Sequence, residues 1–192
     1  MRFARLISGV CVVLVYVCAF APSSPTPQAA NLIKATPLIL EKNEGERRIF
    51  RPWPGHPSES ETFYLKVDPK NGGSSHLVLG TANLPAGQEI DKHRHPESDE
   101  ILLLQSGTAR VHLGDATREV HAGATVFIPA DTWISVKNIG SDALDLVFIF
   151  SAPGFEELMR DTSARVGEKV VPITQAEEDE IEKKHARHVV YQ

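Results

Sequence analysis

The feature that most constrains the fold of this chain is a succession of short apolar runs, each of strand length, between about residue 33 and residue 151. Glycine or proline separates almost every pair of runs, as in Pro54-Gly55 and Pro85-Ala86-Gly87. Short strands at regular spacing with such turns, and without a helical period, are typical of a sandwich or a closed barrel. We therefore predict an all-β domain. The predicted strands cover residues 37–40, 48–53, 62–67, 76–84, 100–105, 109–113, 125–128, 133–136 and 144–150.

The start of the chain is typical of an export signal. Arg2 and Arg5 precede a 16-residue apolar run, and a segment rich in proline and serine follows. This order of charge, apolar run and small residues predicts a secretory signal peptide over residues 1–21 and a linker over residues 22–34. We expect a secreted or periplasmic mature protein that has no membrane contact after cleavage. An uncleaved membrane anchor is the alternative, although the run is shorter than the ~20 residues that span a bilayer.

Composition narrows the kind of partner and the kind of metal ligand. The chain has 192 residues and a formal net charge of -5, which provides no basic surface for nucleic acid, so a small molecule is the expected partner. Its two cysteines, Cys11 and Cys18, both lie in the apolar run near the start. A mature domain without cysteine would have to bind a metal through histidine and carboxylate side chains.

Helical signals return only in residues 154–192. Thr174 and Glu177 have the spacing of a capping box, and acidic residues followed by basic ones complement the dipole of a helix that begins there. We predict a solvated helical extension that packs on the outside of the β domain. His185 and His188 lie in this extension and are expected to be solvated.

Two histidines and a carboxylate are the strongest candidates for chemistry. His93 and His95 are two residues apart, so on a strand their imidazoles point to the same face. Glu100 begins the next apolar run after a short turn, where a charge needs a reason to be buried. Two imidazoles and one carboxylate suit Fe(II), Mn(II), Ni(II) or Zn(II). Two alternatives stay open, an exposed surface pair of histidines and a carboxylate supplied by Glu97 or Asp99.

The spacing around these residues resembles the first motif of the cupin family. Gly87 is followed by five residues, His93, one residue, His95, four residues, Glu100, six residues and Gly107, which matches every defined position of that motif. The resemblance implies that the two histidines and the glutamate bind a metal.

The second cupin motif is present with two changes. Gly123, Pro129 and Asn138 match it, but Asp131 replaces a glycine and Ile134 stands where the family has its fourth metal ligand. The resemblance therefore implies a three-ligand site in this chain, which binds metal more weakly or prefers a different metal because isoleucine cannot act as a ligand.

The resemblance implies a cupin-type double-stranded β-helix, or jelly-roll barrel, over residues 35–153, with C-terminal α-helices. Residues 151–160 look like the exit segment of single-domain bacterial quercetin 2,3-dioxygenase-like cupins. That subtype implies a dioxygenase-like enzyme that uses a divalent metal and acts on a small organic substrate, and the barrels of this family often pair as homodimers. The alternatives are a non-catalytic cupin that binds a small molecule or sugar with weak or no metal, and an isomerase or epimerase.

We expect four residues to line the pocket around the metal. Ile134 would face the ion, and His76 is the best candidate to replace the missing fourth ligand. Phe127 and Trp133, at strand ends, would line the pocket mouth. His112 is expected to point outward, because its neighbours Ala109, Val111 and Leu113 form the apolar face of that strand. No catalytic residue is assigned from the sequence.

Overall fold

The computed structural model describes residues 35–54 and 61–192. The predicted signal peptide and the whole predicted linker therefore lie outside the described residues. In chain order the elements are β1 (Glu46–Phe50), β2 (Thr62–Val67), β3 (Val78–Leu84), β4 (Glu89–Arg94), β5 (Glu100–Ser106), β6 (Thr108–Leu113), β7 (Ala116–His121), β8 (Thr125–Ile128), β9 (Ile134–Asn138), β10 (Leu144–Phe150), α1 (Phe155–Asp161), β11 (Ser163–Arg165), α2 (Gln175–His185) and β12 (Val190–Tyr191).

The strands form two antiparallel sheets. The first has seven strands in the order β11-β1-β2-β3-β10-β5-β8, and the second has five in the order β12-β4-β9-β6-β7. Neighbours in both sheets are mostly distant in sequence, as in the pairs β3 with β10 and β4 with β9. The predicted all-β jelly roll with C-terminal helices is confirmed.

Alternation of side chains along the strands builds the core. In β5, Leu102 and Leu104 are buried while the residue between them is only partly so, and in β6 Val111 is buried between two exposed positions. These side chains join one apolar cluster with Val136 of the second sheet and Leu146 of the first. The core therefore lies between the sheets, and His112 points outward as predicted.

The asparagine of the second motif stabilises a tight connection and has no part in the metal site. Asn138 is completely buried at the end of β9. Its amide donates to the carbonyls of Leu84 and Asp142 at 2.9 and 2.8 Å, and its Oδ1 accepts from the Gly140 amide at 2.9 Å. These bonds tie three chain segments together at one end of the barrel.

Three details differ from the sequence-based expectation. Residues 37–40 form no strand, and Ile39 is 98% exposed. The polar strand β7 was not predicted, because its side chains are largely exposed and show no apolar alternation. The C-terminal extension is not purely helical, since β11 pairs with β1 and β12 pairs with β4.

The two helices are held by local signals and by packing. The Thr174 side chain accepts a hydrogen bond from the Glu177 amide at 3.3 Å and caps α2, as predicted. His185 ends that helix, is buried, and its Nε2 lies 2.7 Å from the Asp161 carboxylate at the end of α1. No helix among the described residues is long and apolar enough to cross a membrane.

A buried set of charged side chains fastens α1 to the first sheet; we call it the ionic network, formed by Glu46, Arg48, Asp68 and Arg160. Arg160 donates to Glu46 Oε2 at 2.8 Å and to Asp68 Oδ2 at 2.7 Å, and Arg48 donates to Glu46 Oε1 at 2.7 Å. Burial alone would raise the pKa of Glu46, but hydrogen bonds and charges from both arginines outweigh it and lower the pKa to about 2.

Candidate metal centre

Three buried side chains meet between the sheets; we call them the His-His-Glu triad. His93 lies on β4, His95 directly follows that strand, and Glu100 begins β5. One possible ligand atom from each residue lies within 4.8 Å of the others. The two imidazole centroids are 4.9 Å apart, and His95 Nε2 is 3.5 Å from Glu100 Oε2. The structure therefore brings the three residues of the first motif to one point.

Backbone carbonyls orient both imidazoles of the triad. His93 Nδ1 lies 2.7 Å from the Asp91 carbonyl oxygen, and His95 Nδ1 lies 2.8 Å from the His188 carbonyl oxygen. Because a carbonyl can only accept, each Nδ1 must carry the proton, and each Nε2 keeps its lone pair. This arrangement, with one ring nitrogen anchored and the other left basic, is the usual one for metal-binding histidines.

Two atoms of the triad have no hydrogen-bond partner among the described residues although they are buried. They are His95 Nε2 and Glu100 Oε2. Buried polar atoms nearly always have a partner, and both of these atoms accept rather than donate in their metal-binding forms. A cation between them satisfies both, so the residues present fit a divalent metal ion.

The protonation equilibria of the triad agree with this geometry. Burial raises the pKa of Glu100 to about 8, and nothing else contributes. Burial also lowers the pKa of His93, and burial together with the neighbouring His93 lowers the pKa of His95 to about 3. The imidazoles are therefore neutral and ready to bind a metal, while the carboxylate has no positive charge beside it from the protein.

Aromatic packing fixes the imidazole of His95. The rings of Phe150 and Phe155 meet it edge to face, each with a centroid distance of 4.7 Å. The backbone is fixed as well, because the Asp131 amide donates to the His95 carbonyl at 2.8 Å. Asp131 has a φ of 62°, the left-handed conformation that glycine adopts most readily and aspartate tolerates, which accounts for a glycine at this motif position.

The C-terminal segment is part of the site. In β12, Tyr191 pairs with His93 of β4, and their rings are 5.8 Å apart. The His188 carbonyl holds His95, and a Cβ on Gly154, whose φ is 140°, would overlap the His188 imidazole. The expectation of a solvated tail is therefore wrong for this segment. Sequence reasoning missed this role of the segment because a hydrogen bond to a backbone carbonyl does not depend on the pattern of side chains.

A cavity of about 840 Å³ opens beside His93 and Glu100. Its walls are mostly apolar and come from both sheets, α1 and α2; they include Phe50, Leu102, Val136, Leu146, Phe148, Phe150, Phe155 and Met159. Its charged lining residues other than Glu100 are Glu61, Glu89, Asp91, Lys92, Glu178 and Glu182. Such a space holds one small organic molecule next to the triad.

Of the predicted pocket residues, only Ile134 lies near the triad. Ile134 is buried and pairs with His93 across β4 and β9, so the two side chains share a face of the sheet. His76 is exposed before β3 begins, and Phe127 is 55% exposed because its neighbours in β8 point inward. Trp133 lies over the outer face. Contrary to expectation, none of the four, Ile134 included, is among the residues that line the cavity.

The outer position of Trp133 follows from the alternation of β4. Lys92 and Arg94 flank the inward-pointing His93, so their side chains leave the sheet on the opposite face. The Trp133 ring lies 5.6 Å from the Lys92 ammonium and 5.1 Å from the Arg94 guanidinium. Arg94 also pairs with Asp131 on that face.

Comparison with known proteins agrees with the fold and with the motif. Residues 80–150, which contain the whole triad, match the family model Cupin_2, described as a cupin domain. The fold is similar to that of a predicted oxalate decarboxylase from Thermotoga maritima, with a TM-score of 0.53 and 16% identity, over 60% of this chain and all of that one. The described β domain is thus a cupin-type barrel.

Curated relatives are similar over the same part of the chain. Protein SchB from Streptomyces halstedii is 30% identical over 82 residues, which are 43% of this chain and 59% of that protein. The uncharacterized protein YrkC from Bacillus subtilis is 29% identical over 84 residues, 41% of this chain and 45% of that protein. The chain thus spans about half the length of these relatives.

Proposed function

We propose that this chain is an exported, metal-dependent cupin that binds one divalent cation through His93, His95 and Glu100 and presents it to a small organic molecule in the adjoining cavity. The observation that carries the proposal is the pair of buried acceptor atoms without partners, His95 Nε2 and Glu100 Oε2, beside a cavity of about 840 Å³. Two imidazoles and one carboxylate suit Fe(II), Mn(II), Ni(II) or Zn(II) and leave coordination positions open.

Each part of the site has a definable task. The imidazoles of the triad supply neutral nitrogen ligands, and the Asp91 and His188 carbonyls hold their orientation. The apolar walls exclude water and contact the body of the bound molecule. A divalent cation held there supplies a Lewis acid that polarises an oxygen of that molecule, and a redox-active one allows the molecule to react with O2.

Dioxygenase-like chemistry of the quercetinase kind is the finer form of the proposal. It rests on the first motif and on the resemblance of residues 151–160 to that subtype. Metal-loaded protein is expected to consume O2 when it is supplied with quercetin and to consume none when the metal is removed. Turnover that persists without metal would contradict this form of the proposal.

A non-catalytic binding cupin is the second candidate, and one observation favours it. Ile134 is buried on the same face as His93, so an apolar side chain occupies the position of the family's fourth ligand. We expect Ile134→His to tighten metal binding about tenfold, because it adds a nitrogen ligand. An unchanged affinity would mean that residue 134 does not face the ion.

Metal content of the purified mature chain is the decisive measurement. Reconstitution with each of the four metals, followed by elemental analysis, is expected to yield one cation per chain. His93→Ala and His95→Ala should each abolish binding, whereas His112→Ala should retain it, because His112 lies on the outer face of β6. A wild-type chain that retains no cation supports the non-catalytic candidate instead.

Export and homodimer formation remain part of the proposal. The basic and apolar start of the chain predicts that the mature protein begins after about residue 21. N-terminal sequencing of protein recovered from the periplasm or medium tests the first, and light scattering of the purified barrel tests the second.

A further inference from the structure

We propose that the acidic rim of the cavity makes it selective for uncharged or cationic organic molecules and excludes carboxylates, with Glu61, Glu178 and Glu182 as the residues that determine this specificity. The inference rests on the proposed function, because it names the class of molecule that the same cavity receives. Three observations about the described residues carry it, one on the walls, one on the rim and one on the local charge balance.

The described side chains that line the cavity offer no free cation to pair with an acid. Lys92 is the one lysine or arginine among the described lining residues, and its ammonium lies over the Trp133 ring on the opposite face of the sheet. The lining histidine, His93, keeps its proton on Nδ1, which lies 2.7 Å from the Asp91 carbonyl oxygen, so its Nε2 offers no N–H donor to a ligand. An organic acid inside would thus lose its hydration without gaining an ion pair or a hydrogen bond from a charged donor of the protein.

The rim carries carboxylates that lack ion-pair partners among the described residues. Glu178 and Glu182 lie one turn apart on α2, Glu61 directly precedes β2, and all three line the cavity. None of the three forms an ion pair among the described residues; Glu178 instead accepts from the Gln175 amide at 3.1 Å. By contrast, Glu89 lies 3.4 Å from the Lys137 ammonium.

The titration of Glu61 agrees with this distribution of charge. Burial and, to a smaller extent, the charge of Asp91 together raise the pKa of Glu61 to about 7. The charge that acts on Glu61 is thus a carboxylate, which is expected where a cleft focuses negative potential.

The net charge at the metal site is small, so the carboxylates of the rim determine which class of ligand binds. A divalent cation with the Glu100 carboxylate has one net positive charge, because the imidazole ligands are neutral. A carboxylate ligand must pass the rim and lose its hydration to reach that charge. An uncharged ligand meets no such repulsion, and a cationic ligand gains from the rim.

A matched pair of probes tests the selectivity: protocatechuate, which carries a carboxylate, and its methyl ester, which has the same aromatic body without the charge. Trp53 lines the cavity, so its fluorescence reports binding with or without a metal. We expect the ester to bind the metal-loaded chain at least tenfold more tightly than the acid at low salt. High salt should narrow the difference, because it screens partly exposed charges.

The rim variant identifies the residues responsible. The double substitution Glu61→Gln with Glu182→Gln should bring the two affinities within threefold of each other by improving binding of the acid. Glu119→Gln, a change on the exposed strand β7, is the matched control and should leave the difference intact.

Several results would overturn the inference: equal or tighter binding of the acid, an unchanged difference in the rim variant, or no binding of either probe. Elemental analysis decides the metal proposal separately, because Trp53 fluorescence compares the probes in metal-free protein as well. If the chain binds no cation but still prefers the ester, the proposed metal site is refuted and the proposed selectivity is supported.

Discussion

Two groups of buried ionisable side chains lie in the same domain, and they differ in whether the protein alone satisfies them. In the ionic network, both oxygens of Glu46 and both oxygens of Asp68 accept hydrogen bonds. In the His-His-Glu triad, one imidazole nitrogen and one carboxylate oxygen have no partner among the described residues. The side chains of both groups are largely removed from water, so burial alone does not distinguish a structural tie from a binding site.

The two groups obtain their compensating charge from different sources. The ionic network contains its own cations, Arg48 and Arg160, and holds α1 against the first sheet. In its metal-binding form the triad has only acceptors, so its compensating charge must then come from a bound cation. Removing a partner from the ionic network should therefore cost stability, whereas changing the triad should cost binding.

We expect the greatest loss of stability from a substitution that disrupts the ionic network. Arg160→Met leaves the buried carboxylates of Glu46 and Asp68 without their shared cation, so the free energy of unfolding should fall by about 3 to 5 kcal/mol. Urea denaturation measures the change. Arg187→Met is the matched control, because Arg187 pairs with Glu97 on the surface and should contribute less than about 1 kcal/mol. A loss of similar size in both variants would contradict the distinction.

The next effect is the acid response of the same network. Because the pKa of folded Glu46 is about 2 and lies below its ordinary value of 4.5, this group stabilises the fold above pH 4.5 and loses that contribution as pH falls toward 2. The contribution is at most about 3 kcal/mol, because solvent screens part of the interaction. Melting curves of wild type and Glu46→Gln across this range should converge at low pH, and parallel curves would show that Glu46 is not responsible.

Deletion of residues 188–192 tests whether residues that are not metal ligands position the triad. The deletion removes the carbonyl that holds His95 and the strand that pairs with His93, so metal affinity should fall about 10- to 100-fold. Competition with a chelator measures the affinity, and deletion of Gln192 alone is the control. If the fold survives and both deletions bind metal as wild type does, the tail has no role in positioning the triad.

The smallest effect should have the opposite sign to the first. Burial raises the pKa of Glu100 to about 8. Folding therefore retains a proton that the unfolded chain releases above pH 4.5, and stability falls as pH rises toward 8. Glu100→Gln removes this cost, so the metal-free variant should be more stable than wild type by about 1 kcal/mol at pH 8. It should also bind metal poorly, and a destabilised metal-free variant would contradict our account of the triad.

Much of the barrel and the triad could be predicted from the sequence, because both follow from local spacing. Period-2 alternation placed His93 and His95 on one face, and the apolar run after Glu100 identified the adjoining strand. Phe127 was misassigned because β8 has apolar residues at inward and at outward positions. The sequence of β8 therefore does not reveal which of its faces is buried. The tail was missed because Tyr191 and the His188 carbonyl act through backbone pairing, which has no side-chain signature.

The packing of His95 also has a consequence for ion choice. Its imidazole packs against two phenylalanine rings that also contact each other, and it is tied at Nδ1, so its rotation to follow ions of different radius is restricted. A site with one fixed donor selects among ions by their size and preferred bond length, because it does not adapt its shape to each ion. The entropic penalty of arranging that donor is met during folding, before any ion arrives.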